Sequence, residues 1–210
     1  MNEPVLSPQI RQGMEALEAN NMTAHYLPRA DQVVAFVQQL IPEGAVVSNG
    51  GSVTLAQTGV MDHLASGRYQ YLDRSKVSGE ELGRLYRQVF SADWYLASAN
   101  AITQQGEIYE LDANANRIAA ISFGPAHVLL IAGVNKIVPD LHAAVRRVRE
   151  TVAPKNAVRL GLKTPCALTG QCADCKSPDR ICCSALILRR QREAFKGRIH
   201  VLLVGEELGY

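Results

Sequence analysis

The sequence predicts an α/β fold with a mostly parallel sheet. Short apolar runs with β-branched character alternate with amphipathic helical stripes along most of the 210 residues. The runs are apolar on both sides, as strands covered by helices on two faces must be. No tract rich in Pro, Gly or Ser divides the chain. Residues 1–210 therefore read as one domain, with residues 1–44 as an N-terminal helical part and residues 164–183 as a cysteine-bearing C-terminal insertion.

The elements follow in order. A first helix fits Pro8 to Ala19, where Ser7 supplies a capping oxygen and Pro8 a preset first turn. A second fits Asp31 to Ile41, with Val33, Val37 and Leu40 on one face. Ala45 to Val47 is a strand, followed by a turn and a short helix from Val53, and Tyr69 to Leu72 is the next strand. Leu82, Leu85, Tyr86 and Val89 recur at helical spacing behind Ser78 and Glu81, which stand in the order of a capping box. Trp94 to Ala97 is a strand. Ile102 to Leu111, with Gln105 and Gly106 at its centre, reads as a hairpin at the sheet margin. After the strand Val128 to Ile131, a stripe of Leu141, Val145, Val148 and Val152 begins behind Pro139 and Asp140. Arg146, Arg147 and Arg149 on that helix read as a solvated face. Ile199 to Val204 is the last strand.

Composition narrows the function classes. A chain 47% hydrophobic and 20% charged has the profile of a globular protein. Twenty-two basic against 20 acidic residues give no broad field, so neither nucleic acid nor an anionic membrane is expected as a partner, and any anion site must be local. No stretch free of formal charge is longer than Ile118 to Asn135, which is broken by Gly124, Pro125 and His127, a poor match to an apolar span of about 20 residues. The opening MNEPVLSPQIRQ has neither a basic leader nor an apolar core, so the expected compartment is the cytoplasm.

The strongest candidate for a ligand site is the loop Asn49, Gly50, Gly51, Ser52 between strand and helix. A glycine pair there turns backbone N–H groups toward an anion, and Ser52 and Thr54 add hydroxyls; a tight turn with Ser52 as a plain cap accounts for the same residues. Three more polar clusters end apolar runs, where open α/β sheets gather ligands: Asn100 with Thr103, Asn116 with Arg117, and Asn135 with Lys136. Arg117 offers a planar fork and Lys136 a point charge, unless turn geometry and a neighbouring acid already claim them. There is no Walker lysine, no G-x-G-x-x-G and no G-x-S-x-G, so ATP, a Rossmann dinucleotide and a serine hydrolase are not indicated. The five histidines show no ligand spacing, and no residue is assigned a catalytic role.

All five cysteines fall in one segment, PCALTGQCADCKSPDRICC. The C-x2-C step of Cys172 and Cys175 lets two thiolates reach one ion, and Cys166 and Cys182 complete a set of four. Lys163, Lys176 and Arg180 would favour the thiolates. A single paired step favours an iron–sulfur cluster over zinc; reduced structural cysteines without metal stay open. Cys183 is expected to pack as a small apolar residue.

SNGGSVTL, SANAIT, NRIAA, GPAHVLLIAGVNKIV, the cysteine segment and VLLVGEELGY together resemble the LUD domain of the lactate-utilisation protein family, specifically its small cysteine-containing members, over nearly the whole chain from Val46. The resemblance implies a NagB/RpiA/CoA-transferase-like sandwich, whose relatives bind sugar phosphates or CoA esters beside glycine-rich loops. It also implies a partnership with iron–sulfur oxidoreductase subunits that convert L-lactate to pyruvate. Where members often carry acids after the glycine loop this chain has Ala56 and Gln57, and where they often carry a glycine it has Ala115.

Three functions are compatible with these features. The first is an accessory or redox-linked subunit binding a small anionic metabolite, with a homodimer possible. The second is a stand-alone sugar-phosphate isomerase or acyl/CoA-transfer enzyme. The third is a non-catalytic sensor or scaffold whose insertion is stapled by zinc.

Overall fold

The computed structural model describes residues 6–210. In chain order the elements are α1 (Pro8–Ala19), β1 (Thr23–Leu27), α2 (Val33–Leu40), β2 (Val46–Asn49), α3 (Val53–Gln57), α4 (Val60–Leu64), β3 (Gln70–Leu72), α5 (Gly79–Gln88), β4 (Trp94–Ala97), β5 (Ala101–Thr103) and β6 (Ile108–Asp112). There follow α6 (Asn116–Ser122), β7 (His127–Gly133), β8 (Ile137–Val138), α7 (Leu141–Arg147), α8 (Ala153–Arg159), α9 (Pro165–Thr169), β9 (Ser184–Leu188) and β10 (Ile199–Val204). The expected α/β sandwich with a mostly parallel sheet and a cysteine-bearing C-terminal segment is what these elements build.

Six strands form the main sheet in the order β1-β10-β7-β4-β2-β3, every pairing parallel. Alternation along the strands explains why the runs are apolar throughout. Tyr95 and Ala97, Val128 and Leu130, and Val201 and Leu203 face one core with Leu17 and Ile121. Trp94 and Leu96, Leu129 and Ile131, and Leu202 and Val204 face the other with Val33, Val37, Leu55 and Leu64. Both sides are dry because helices cover both.

The hairpin Ile102 to Leu111 forms, but not at the margin of the main sheet. β5 and β6 pair antiparallel inside a second sheet of order β8-β5-β6-β9. One side of that sheet contributes Ile102, Ile108 and Leu188 to the first core, and the other packs Ala101 and Tyr109 on Ala144, Val148 and Val152. The region 1–44 is not purely helical either, since β1 pairs with β10 and forms one edge of the main sheet.

α1 begins at Pro8 with Ser7 Oγ accepting from Ile10 N, as expected. Ser78 occupies the cap position of α5 without a side-chain cap hydrogen bond, so the capping box is not made. The stripe from Leu141 starts on an Asp140 cap, Ala143 N donating to Oδ1 at 2.7 Å. It then widens into a π-helical turn over Val148–Val152 before α8, where Pro154 falls in the first turn. Arg147 does not belong to the solvated face with Arg146 and Arg149: it is half-buried, its pKa is lowered by desolvation, and its Nε has no partner among the described residues. No described helix is long and apolar enough to cross a membrane.

Candidate functional site

The carboxyl ends of three adjacent strands, β2, β4 and β7, deliver Gly50–Ser52, Ser98–Asn100 and Gly133–Lys136 to one side of the sheet. A cleft of about 230 Å³ opens there. Of the residues singled out in the sequence, Gly51, Ser52, Thr54, Asn100, Asn116, Arg117 and Lys136 line it.

Four others stand outside it, each with a structural duty. Asn49 is buried, donating to the Gly50 carbonyl and accepting from Tyr71 Oη at 2.6 Å. Gly50 lies under Arg117: a Cβ there would come within 2.9 Å of Arg117 Cδ and 3.0 Å of Tyr95 Oη, so only glycine lets the three meet. Thr103 closes the β5–β6 hairpin by accepting from Glu107 N at 3.0 Å. Asn135 Oδ1 accepts from Leu208 N at 3.1 Å.

The cleft's charges are arranged in pairs and in isolation. Arg117 Nη1 donates to Glu110 Oε2 and its Nη2 to the Leu111 carbonyl at 2.8 Å, so its fork is turned inward. Glu110 has no exposed surface; burial pushes its carboxyl up, Arg117 and then Lys136 offset this in part, and its Oε1 has no partner among the described residues. Asp112 is occupied too, its Oδ2 accepting from Arg117 N at 2.9 Å and Ile118 N at 3.2 Å. That bond set holds the start of α6, where Ala115 takes a left-handed conformation with φ 60°.

Lys136 is isolated. It is 3% exposed, and Nζ donates to Ser98 Oγ at 2.7 Å and Thr54 Oγ1 at 3.0 Å, with no carboxylate oxygen within 4.0 Å among the described residues. Burial pulls its pKa down to about 8, the charge of Glu110 working against this and those of Arg147 and Arg117 with it. Gly209, at φ +62°, packs directly over this amine: a Cβ there would lie 2.7 Å from Thr54 Oγ1 and 3.3 Å from Nζ.

Ser98, Arg74, Tyr86, Asn156, Arg159, Gly209 and Tyr210 also line the cleft, and none of them stands out in the sequence as a site residue. Arg74 makes no ion pair among the described residues; it leans on Tyr86 and reaches over Gly51. Its place depends on a turn between β3 and α5 that brings residue 74 back beside residue 51, which no local pattern announces.

The cysteine segment forms a separate feature. Cys166, Cys172, Cys175 and Cys182 are all partly buried, and the Cys182 thiol senses the charges of the other three. Burial pushes that thiol up, against the expectation from nearby basic residues; Arg180 works the other way, and the three sulfurs add to burial. Arg180 instead ties the segment together, donating to the carbonyls of Cys175 and Cys182 and to Asp174. Cys183 is exposed rather than packed. Among the described residues no group of three or more His, Cys, Asp or Glu side chains is placed to hold a metal ion.

Three histidines meet where no spacing announced it. His25 Nε2 and His200 Nδ1 are 3.0 Å apart, Trp94 stacks on His127 at 4.6 Å, and His200 contacts both rings. They come from neighbouring strands β1, β10, β7 and β4 on the face opposite the first core.

Residues 10–204 match the family model described as the LUD domain. A crystal structure of a DUF162 family protein from Deinococcus radiodurans is similar in fold, with a TM-score of 0.57 at 17% identity, covering 95% of this chain and 99% of that one. No curated protein matches.

Proposed function

The chain belongs to the LUD domain family, and from that premise we propose that it is a redox-linked subunit in lactate or organic-acid utilisation that holds a small carboxylate- or phosphate-bearing metabolite in the cleft. The association with lactate utilisation is a property of the family; the ligand and the role are the proposal. The observation that carries it is a set of three cleft cations, Arg74, Lys136 and the more exposed Arg159, with no carboxylate partner among the described residues, while Arg117 is already neutralised by Glu110. Three uncompensated positive charges in one cleft favour an anion, and about 230 Å³ suits a compact one rather than a whole nucleotide.

The test is a thermal-shift panel of two- to four-carbon hydroxy and oxo acids and their phosphorylated counterparts. Binding raises the melting temperature, and Arg74→Ala removes the rise. Arg117→Ala is the poorer probe, because it strands the buried Glu110 charge and costs about 3–5 kcal/mol whatever the ligand. A rise with phosphorylated sugars or CoA esters alone would favour the stand-alone enzyme instead.

For the cysteine segment the proposal is an iron–sulfur cluster on Cys166, Cys172, Cys175 and Cys182, with zinc as the alternative. The donor set fits either: four soft thiols share one neighbourhood, although ligand distances are not formed. A cluster would supply one-electron transfer and so link this chain to iron–sulfur oxidoreductase subunits. Iron and sulfide in protein purified without oxygen support that reading. One equivalent of zinc, whose chelation unfolds only the C-terminal segment, would replace it with a structural staple.

A further inference from the structure

Lys136 is an unusual choice for a merely structural role. A buried lysine is ordinarily stabilised by a carboxylate, yet the two acids within reach of this region are committed elsewhere, Glu110 to Arg117 and Asp112 to the start of α6. What surrounds Nζ instead is a pair of hydroxyls from two other elements. Ser98 stands directly after β4 and Thr54 in the first turn of α3, 8% and 1% exposed, and both line the cleft. Ser98 Oγ is 2.7 Å from Nζ, Thr54 Oγ1 is 3.0 Å from Nζ, and the two oxygens are 3.3 Å apart. This is the geometry of an activated nucleophile: a hydroxyl within hydrogen-bond reach of a base, and a third group that fixes the base in place. Gly209 packs over the amine so closely that a Cβ there would strike Thr54.

We propose that Ser98 is a nucleophile, Lys136 its general base and Thr54 the residue that positions the base, and that the cleft hydrolyses a small ester whose acyl half carries a carboxylate. The proposal rests on the reading of the cleft as a carboxylate site, and adds a reaction to it. Ser98 Oγ adds to the ester carbonyl while its proton passes to Nζ. The tetrahedral oxyanion collapses, the C–O bond to the leaving alcohol breaks, and that alcohol takes the proton back from Nζ. The acyl group is then an ester of Ser98. Water attacks it with Lys136 again accepting the proton, and the carboxylic acid leaves with Ser98 restored. No oxidant, metal or second substrate besides water is required. Arg74 pairs with the remote carboxylate and so places the reacting carbonyl at Ser98.

A lysine can serve as base only in its neutral form, and the low-dielectric surroundings provide that form near neutrality, with the pKa down to about 8. The groups that bear on it are Glu110 from β6, Arg117 from α6 and Arg147 from α7. Acylation therefore speeds up as pH rises through about 8.

The test uses mono-4-nitrophenyl succinate, with 4-nitrophenyl acetate as the carboxylate-free comparison, read by a nitrophenolate burst and by mass spectrometry of the whole protein and its peptides. The expected result is one succinyl group on Ser98, formed faster than the acetyl group. Ser98→Ala removes the adduct, and Lys136→Met slows its formation about 100-fold or more. Lys136→Arg is as slow as Lys136→Met, because a guanidinium keeps the charge but has no lone pair to offer. Thr54→Ser preserves the pH midpoint and Thr54→Val moves it.

Three results would each overturn the proposal: no adduct at pH 9 on wild-type protein with an intact melting transition, an adduct unchanged in Ser98→Ala, or wild-type rates in Lys136→Arg. The thermal-shift panel separates this failure from that of the binding reading. Small carboxylates that stabilise a protein showing no acylation leave the binding site and remove the reaction. Acylation of Ser98 at equal rates by both esters, with no shift from any carboxylate, keeps the nucleophile and removes the carboxylate specificity.

Discussion

Ala115 carries strain that a single atom group explains. Its φ of 60° is disfavoured for any residue with a Cβ, by about 1–2 kcal/mol, and the conformation is imposed because Asp112 must accept from the amides of residues 117 and 118 to start α6. Ala115→Gly removes the clash while adding some freedom to the unfolded chain, so the net gain is about 1 kcal/mol, or about 2–4 °C in Tm by differential scanning calorimetry. The glycine pair behaves asymmetrically. Gly50→Ala drives a methyl into Arg117 Cδ and Tyr95 Oη and should cost about 1–3 kcal/mol, together with the ligand-induced shift. Gly51→Ala meets chiefly the mobile end of Arg74 and should change stability by less than about 0.5 kcal/mol. Urea titration of the two variants distinguishes them. Equal losses would mean that Gly50 is not where Arg117 is seated.

Between elements, the informative contact is the one between β1 and β10. His200 is held neutral, its pKa lowered to about 4, mainly by burial and then by the positive charge His25 and His127 would carry. Its folded value lies below the ordinary 6.5, so the unfolded chain binds more protons in between. The stability this neutral ring contributes is complete above about pH 6.5 and is lost as pH falls toward 4. His25, lowered in the same direction, adds to the loss. Tm should therefore fall steadily across that window, and His200→Leu should flatten the profile; parallel profiles for the two proteins would show that other groups govern acid unfolding. Strand-to-strand proximity of this kind is invisible along the chain, since His25 and His200 are 175 residues apart. The same reason hid Arg74 and Ser98. By contrast, Ser7 and Asp140 were legible as caps because a cap acts within three residues of itself, and Val128 to Ile131 was legible as a buried strand because both its faces are covered.

For the molecule as a whole, the cleft opposes the fold that supports it. Below pH 8 a charged amine must be kept out of water at residue 136, and relief comes only as pH approaches the ordinary lysine value of 10.5. Lys136→Met should consequently raise stability at pH 7 by about 1–3 kcal/mol while abolishing ligand-induced stabilisation, with the difference from wild type shrinking by pH 10. Chemical denaturation at the two pH values measures both. A variant less stable than wild type at pH 7 would show that the hydroxyl partners compensate the buried charge in full. The main sheet has one further consequence. Among the described residues β1 has a single neighbour, β10, which also supplies one flank of β7, so residues 23–27 and 128–133 each keep an open hydrogen-bonding edge until residues 199–204 pair with them. Folding therefore leaves two sheet edges unpaired until a strand distant in sequence arrives, which makes closure of the sheet slow and exposes those edges to strand-adding partners in the meantime.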